Sequence, residues 1–164
     1  LGVVANVADR IAVMYAGDFV EIGSCNEVFY DPRHPYTWAL LSSLPQLGVK
    51  GQDLYTIVGT PPNLFKEVHG DAFAARNPHP LKIDFVKRPP MFQVTPTHMA
   101  RTWLLDPRAP QIAPPEHIRV LQEKGKALGL SAPLRGVPVP GTEEGGSVET
   151  GSADMSQKGA SADD

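Results

Sequence analysis

Eleven prolines fall between Gly59 and Glu116, at positions 61, 62, 78, 80, 89, 90, 96, 107, 110, 114 and 115. Each removes a backbone donor, and inside a helix each costs roughly 3 kcal/mol. In sheets proline is confined to edges, strand starts and bulges. This stretch can therefore form neither a long helix nor a continuous central strand. Short strands and ordered loops are predicted, packed by Phe65, Phe73, Phe85, Phe92 and Trp103, because so many aromatics argue against a solvated linker. The 17 prolines in 164 residues are about twice the usual ~5% share, which excludes a long helical bundle.

The residues before the proline-rich stretch carry ordinary patterns. LGVVANVA is apolar at 1, 3, 4, 7 and 8, which suits the buried face of a helix. The runs IAVMY and FVEI flank Ala16-Gly17-Asp18 and predict a β-hairpin over Ile11–Ile22, with Met14 and Phe19 buried. Ser24 and Glu27 have capping-box spacing and predict a helix start. Pro35 suits the first turn of a helix over 36–44, with Trp38 and Leu41 buried, before Pro45 stops it. After Pro114-Pro115, Ile118, Leu121 and Leu128 predict one more amphipathic helix, with Gly125 as a weak point. Asp9 and Arg10 are read as a structural cap and a surface pair. No internal repeat is present.

Charge is unevenly placed. Residues 137–164 hold six acids and one base, Lys158, for a net −5 against −3 for the whole chain, so the other residues carry +2. That tail has no aromatic residue and cannot offset an ordering cost of roughly 1–2 kcal/mol per residue. A disordered acidic tail is predicted from 131 to 164. No clustered Lys/Arg gives a nucleic-acid footprint. No apolar run approaches the ~18–20 residues of a membrane span. The chain has no initiator Met and opens inside a predicted helix, as a piece of something longer would.

Chemistry-bearing motifs are few. There is no GxxxxGK[ST] phosphate loop, no GxGxxG and no HExxH. One cysteine excludes an internal disulfide framework and any multi-Cys metal site. Cys25 lies at a predicted helix start, but reads as a small buried hydrophobe. His34, His69, His79, His98 and His117 lack ligand spacing and read as loop or packing residues. Asp71 and Asp84 could pair as carboxylates, though nothing fixes their separation, and Trp38 and Trp103 read as core anchors. No catalytic, cofactor-binding or metal-binding residue is assigned.

Several segments resemble a known family. LGVVANVADRIAVMYAGDFVEIG is similar to the stretch after the switch histidine of ATP-binding cassette (ABC) ATPases, although the usual Thr-His-Asp before it is not in this chain. VFYDPRHPYTWALLSSLP, with Pro32, Arg33, His34, Pro35, Tyr36 and Thr37, resembles the oligopeptide/dipeptide transporter branch. GTPPNL, GDAFAARNP, KRPPMFQV and HMARTWLLDP resemble the C-terminal extension of that branch, so the likeness spans about residues 1–121. The resemblance implies an α/β fragment: residues 1–50 end a nucleotide-binding domain, 51–130 form a loop-rich α+β extension, and 131–164 are the tail.

It further implies a peptide-importer ATPase subunit at the cytoplasmic face of a bacterial plasma membrane. The complete subunit would use ATP and Mg²⁺, with a second ATPase subunit, membrane permeases and, indirectly, an extracellular peptide-binding protein as partners, and no nucleic acid. The first eight residues would brace the switch histidine by packing. The catalytic parts would lie before Leu1, so this chain alone is expected to be inactive. A free-standing dimerisation or regulatory module is the alternative. Many relatives carry four cysteines in the extension, some holding an iron–sulfur cluster. The matching positions here are Asp71, Asn77, Asp84 and Thr102, so no cluster is expected. The extension, residues 55–121, is expected to dock on a second copy or on its own cassette.

Overall fold

The β-hairpin forms where two apolar runs meet a turn with positive φ at Ala16 (52°) and Gly17 (83°), the twist that a tight hairpin needs. This is a computed structural model, and it describes residues 3–44, 57–63, 68–130 and 132–142. A single helical turn, α1 (Val4–Val7), leads into β1 (Arg10–Tyr15) and β2 (Asp18–Ser24). Asp9 serves the junction through its backbone carbonyl, which accepts from the Cys25 amide at 3.0 Å. Val13 pairs with Glu21, and the register shifts between Val13 and Met14.

Strand alternation corrects part of the expected core. Ile11, Val13 and Tyr15 point inward, so Met14 points out and is 52% exposed. Phe19 pairs with Met14 and is 45% exposed. Trp38 and Leu41 are buried as expected. Val3, Val4 and Val7 were expected on a buried helix face, but all three are exposed.

Ser24 closes a complete capping box with Glu27 and opens α2 (Cys25–Tyr30). Pro35 opens α3 (Pro35–Ser42), where His34 caps the first turn by accepting from the Tyr36 amide. The proline-rich stretch then gives short 3₁₀ turns at Ala74–Arg76, Lys82–Phe85 and Trp103–Leu105, and two-residue strands β3 (Phe92–Gln93) and β4 (Met99–Ala100). Of its aromatics, Phe73, Phe92 and Trp103 are buried. Phe85 is 52% exposed, and Phe65 lies outside the described residues.

Helix α4 (Glu116–Ala127) buries Ile118, Leu121 and Gly125. Leu128 is not on that stripe: it caps the helix end and is 62% exposed. Gly125 has a packing reason, because a Cβ there would sit 3.0 Å from both the Cβ and the backbone oxygen of Tyr30 on α2. The expected structureless tail is corrected at its start. Residues 132–142 are described, and β5 (Val137–Pro138) pairs with β3. Gly136 allows this, since a Cβ there would lie 2.6 Å from that of Phe92. Residues 143–164 lie outside the described residues.

The five strands form one antiparallel sheet in the order β1-β2-β4-β3-β5. It joins the hairpin to the proline-rich segment through Glu21–Ala100 and Ile22–Met99 pairing. One core cluster mixes hairpin residues with Phe73, Ile118 and Leu121; a second gathers Phe92, Val94, Ala100, Trp103 and Leu105.

Candidate functional site

Glu21 is the centre of the polar interior. It sits on β2 with 0% exposure, where an unpaired carboxylate would be costly. Its Oε1 accepts from the Arg33 amide (2.7 Å) and lies 2.7 Å from His98 Nε2. Its Oε2 accepts from the His34 amide (3.0 Å). The carboxylate therefore holds the backbone of the Arg33-His34 turn and, from the other side, the imidazole of the segment before β4. Gly23, two residues along the same strand, makes room: a Cβ there would come 3.0 Å from His98 Cδ2. Burial by itself would push the Glu21 carboxyl up, but the hydrogen bond and charge of His98, together with further hydrogen bonds such as that from the His34 amide, outweigh it and hold the group below its ordinary value.

His34 is also fully buried. Burial depresses its pKa to about 4 against the pull of Glu21, so near neutral pH it is uncharged. Its Nδ1 accepts from the Tyr36 amide at 3.0 Å, which places the ring proton on Nε2. Glu27 supplies a second tie: it accepts from the Ser24 amide (2.8 Å), from Thr95 Oγ1 (2.6 Å) and from Thr97 Oγ1 (2.8 Å). These donors overcome burial and bring its pKa to about 2. A third tie is the Arg33 guanidinium, which pairs with Asp31 and donates to the carbonyls of Pro133 and Ala132.

The four positions that the resemblance aligns with cluster cysteines all serve the backbone. Asp71 accepts from the Phe73 amide (2.9 Å), Asn77 from His79 (3.0 Å), Asp84 from Leu81 (2.6 Å) and Thr102 from Leu104 (3.3 Å). Oxygens so engaged do not fit cluster iron, which takes thiolates. Asp71 and Asp84 do approach one another, with the Asp71 amide donating to the Asp84 carbonyl at 2.7 Å. Burial, and then the neighbouring charges of Asp84 and Asp18, push the Asp71 carboxyl up to about 6. Each carboxyl caps its own turn, so the two do not form an acid–base pair.

His117 Nε2 contacts Ser42 Oγ, a Ser–His pair that sequence spacing does not reveal. The Ser42 hydroxyl donates to the Trp38 carbonyl, so His117 must donate to Ser42. That is the reverse of an activated nucleophile, whose proton goes to the imidazole. Burial lowers the His117 pKa. Cys25 is half-buried at the start of α2, packed against the main core. His79 hydrogen-bonds locally through its amide, and His69 stands apart from the buried cluster on an exposed segment. Among the described residues, no three His, Cys, Asp or Glu side chains form a group able to hold a metal ion. None of their helices is long and apolar enough to cross a membrane.

The clustering of His34 and His98 about Glu21 was hidden in the sequence, since the three lie on separate elements. Glu21 on a strand otherwise rich in apolar residues is the signal that could have found it. Chemically, a carboxylate–imidazole pair with no exposure meets no substrate; its geometry joins two parts of the chain.

Residues 20–83 match the family described as the oligopeptide/dipeptide transporter, C-terminal region. The chain is 56% identical over 124 residues to the oligopeptide transport ATP-binding protein AmiE of Streptococcus pneumoniae, covering 76% of this chain and 35% of that protein. It is 56% identical over 125 residues to the oligopeptide transport ATP-binding protein OppD of Bacillus subtilis, with the same shares. It is 56% identical over 118 residues to the dipeptide transport ATP-binding protein DppD of Lactococcus lactis, covering 72% of this chain and 34% of that protein. The chain thus spans about a third of the length of these relatives.

Proposed function

Because the chain belongs to the family of oligopeptide/dipeptide transporter C-terminal regions, we propose that it is the C-terminal part of the ATP-binding subunit of an oligopeptide ABC importer. The observation that carries this reading is the 56% identity to transport ATP-binding proteins over three quarters of the chain. The complete subunit would couple ATP hydrolysis to peptide uptake, with Mg²⁺ on the phosphates and a second ATPase subunit completing the pair. It would work at the inner face of the membrane beneath permease subunits, which an extracellular peptide-binding protein would supply.

The chain's own part in this reading is mechanical. Residues up to about 50 would end the cassette, and the residues after them would brace it. Glu21, Glu27 and Arg33 supply the ties, since each spans from the hairpin side to later sequence. Packing and capping at Asp71, Asn77, Asp84 and Thr102 would stand where, as the resemblance implies, some relatives hold a cluster. The chain alone would neither bind nor hydrolyse ATP, because its sequence has no phosphate-cradling loop.

A chimaera tests this. The matching C-terminal part of Bacillus subtilis OppD is replaced by this chain, and peptide uptake is measured in cells lacking the native subunit. Restored uptake is expected. A stably produced chimaera that supports no uptake would overturn the reading in favour of a free-standing interaction module.

A further inference from the structure

We propose that the cavity between α3, the 110–114 loop and the 134–135 segment is a binding site for a small carboxylate with an apolar body. The cavity measures about 310 Å³, within the range of about 300–1,000 Å³ usual for small-molecule sites. Trp38, Leu105, Ile112 and Leu134 supply apolar wall, and Arg33 and Arg135 also line it.

Arg135 fixes the sign of the ligand. Arg135 donates from Nη1 to the carbonyls of Leu104 and Asp106, and from Nη2 to that of Ala109. These are neutral acceptors that hold the guanidinium in place; its charge also acts on the Asp106 carboxylate, but among the described residues no carboxylate pairs with it at contact. The adjacent Asp106 carboxylate is engaged by Arg108 through both oxygens, at 2.9 Å each. Arg33 is balanced by Asp31 and held by two backbone carbonyls, yet its buried Nε has no hydrogen-bond partner. That Nε is sealed from the open space of the cavity, so Arg33 serves as wall, and Arg135 is the cation left to meet a ligand.

The apolar wall and the small number of open donors select among anions. A phosphate would bring more charge and more oxygens than these groups can satisfy. A carboxylate needs only one or two charge-assisted bonds and can lay an apolar body against Trp38 and Ile112. Such a group is found on a free apolar acid and on the C-terminal residue of a hydrophobic peptide. The cavity is independent of the reading above, since none of the inferred ATP chemistry passes through it.

Titration calorimetry on the 164-residue chain tests the site. With 4-phenylbutanoate, saturable binding below about 1 mM is expected. The matching amide, 4-phenylbutanamide, should bind about tenfold more weakly. Arg135→Gln should weaken the acid by about tenfold. Ile112→Trp should fill the cavity and abolish binding with the melting temperature retained. It serves as the independent control if Arg135→Gln disturbs the loop. N-acetyl-leucyl-phenylalanine and its C-terminal amide separate the sources: a peptide acid that binds more tightly than 4-phenylbutanoate assigns the site to peptide C-termini, and weaker binding assigns it to free acids. No saturable heat, equal binding of acid and amide, or undiminished binding in Ile112→Trp would overturn the proposal.

Discussion

From Arg10 to Ser42 the backbone mostly satisfies itself, through a six-residue strand paired with a seven-residue one and two helices. From Gly70 to Asp106 short backbone turn bonds are joined by many bonds from side chains. Asp71, Asn77, Asp84, Thr95, Thr102 and Asp106 each accept from a nearby amide, and the Trp103 indole and the Arg101 guanidinium donate to the carbonyls of Lys87 and Pro89. Proline explains the difference. It removes ladder donors and leaves carbonyls behind, so polar side chains must close the accounts that regular structure closes elsewhere. A proline-rich segment is thus ordered by local caps and a few aromatic anchors, and is joined to the rest by buried polar ties.

The strongest way to break this comparison is to remove an anchor. Trp103 is buried among Phe92, Val94 and Leu105, and its ring packs edge-on to Phe92 at 6.1 Å. Trp103→Ala should cost about 3–5 kcal/mol in urea unfolding, whereas Phe85→Ala should stay within about 0.5 kcal/mol. Equal losses at the two sites would remove the distinction between anchor and surface ring. If the extension also docks a second ATPase subunit, Trp103→Ala should loosen that association in the complete subunit.

Titration sharpens the contrast, because one group in each region, His34 and Asp71, responds to pH in the opposite sense to the other. His34 titrates at about 4 in the fold against an ordinary 6.5. The unfolded chain binds the extra proton, so stability is lost as pH falls from 6.5 towards 4. Asp71 titrates at about 6 against 3.8, so the folded chain binds the extra proton and stability is lost as pH rises through that window. At neutral pH the half-buried Asp71 charge costs up to about 3 kcal/mol. Asp71→Asn keeps an acceptor for the Phe73 amide and removes the charge. It should be more stable than the parent at neutral pH and lose stability more steeply on acidification. A variant whose pH profile parallels the parent's would contradict this.

A smaller effect tests the caps. Thr102→Val keeps the shape of the side chain and deletes the oxygen that accepts from the Leu104 amide. A loss of about 1 kcal/mol in thermal or urea unfolding is expected. No loss would mean that the Trp103–Leu105 turn needs no cap.

The local half of the fold was legible, because its signals lie close together in sequence. The Ala16-Gly17 turn, the Ser24–Glu27 box and Pro35 at the start of α3 all act within four residues. The burial of Met14 and Phe19 was misjudged because apolar character outweighed strand alternation, which places them beside each other on the outer face. The order at 132–142 was missed because composition cannot see β5 pairing with β3, more than forty residues away. The polar centre was illegible for the same reason: His98 lies 77 residues from Glu21, and only the sheet brings them together.

The central claim is that Glu21 joins the hairpin side to the proline-rich segment. A double-mutant cycle with Glu21→Gln, His98→Gln and the pair, followed by urea unfolding, tests it most directly. A coupling energy of about 1–3 kcal/mol is expected, with the fluorescence of Trp38 and Trp103 changing in one transition. Additive losses, within about 0.3 kcal/mol, would contradict it, because the two regions would then be held together by something other than this pair.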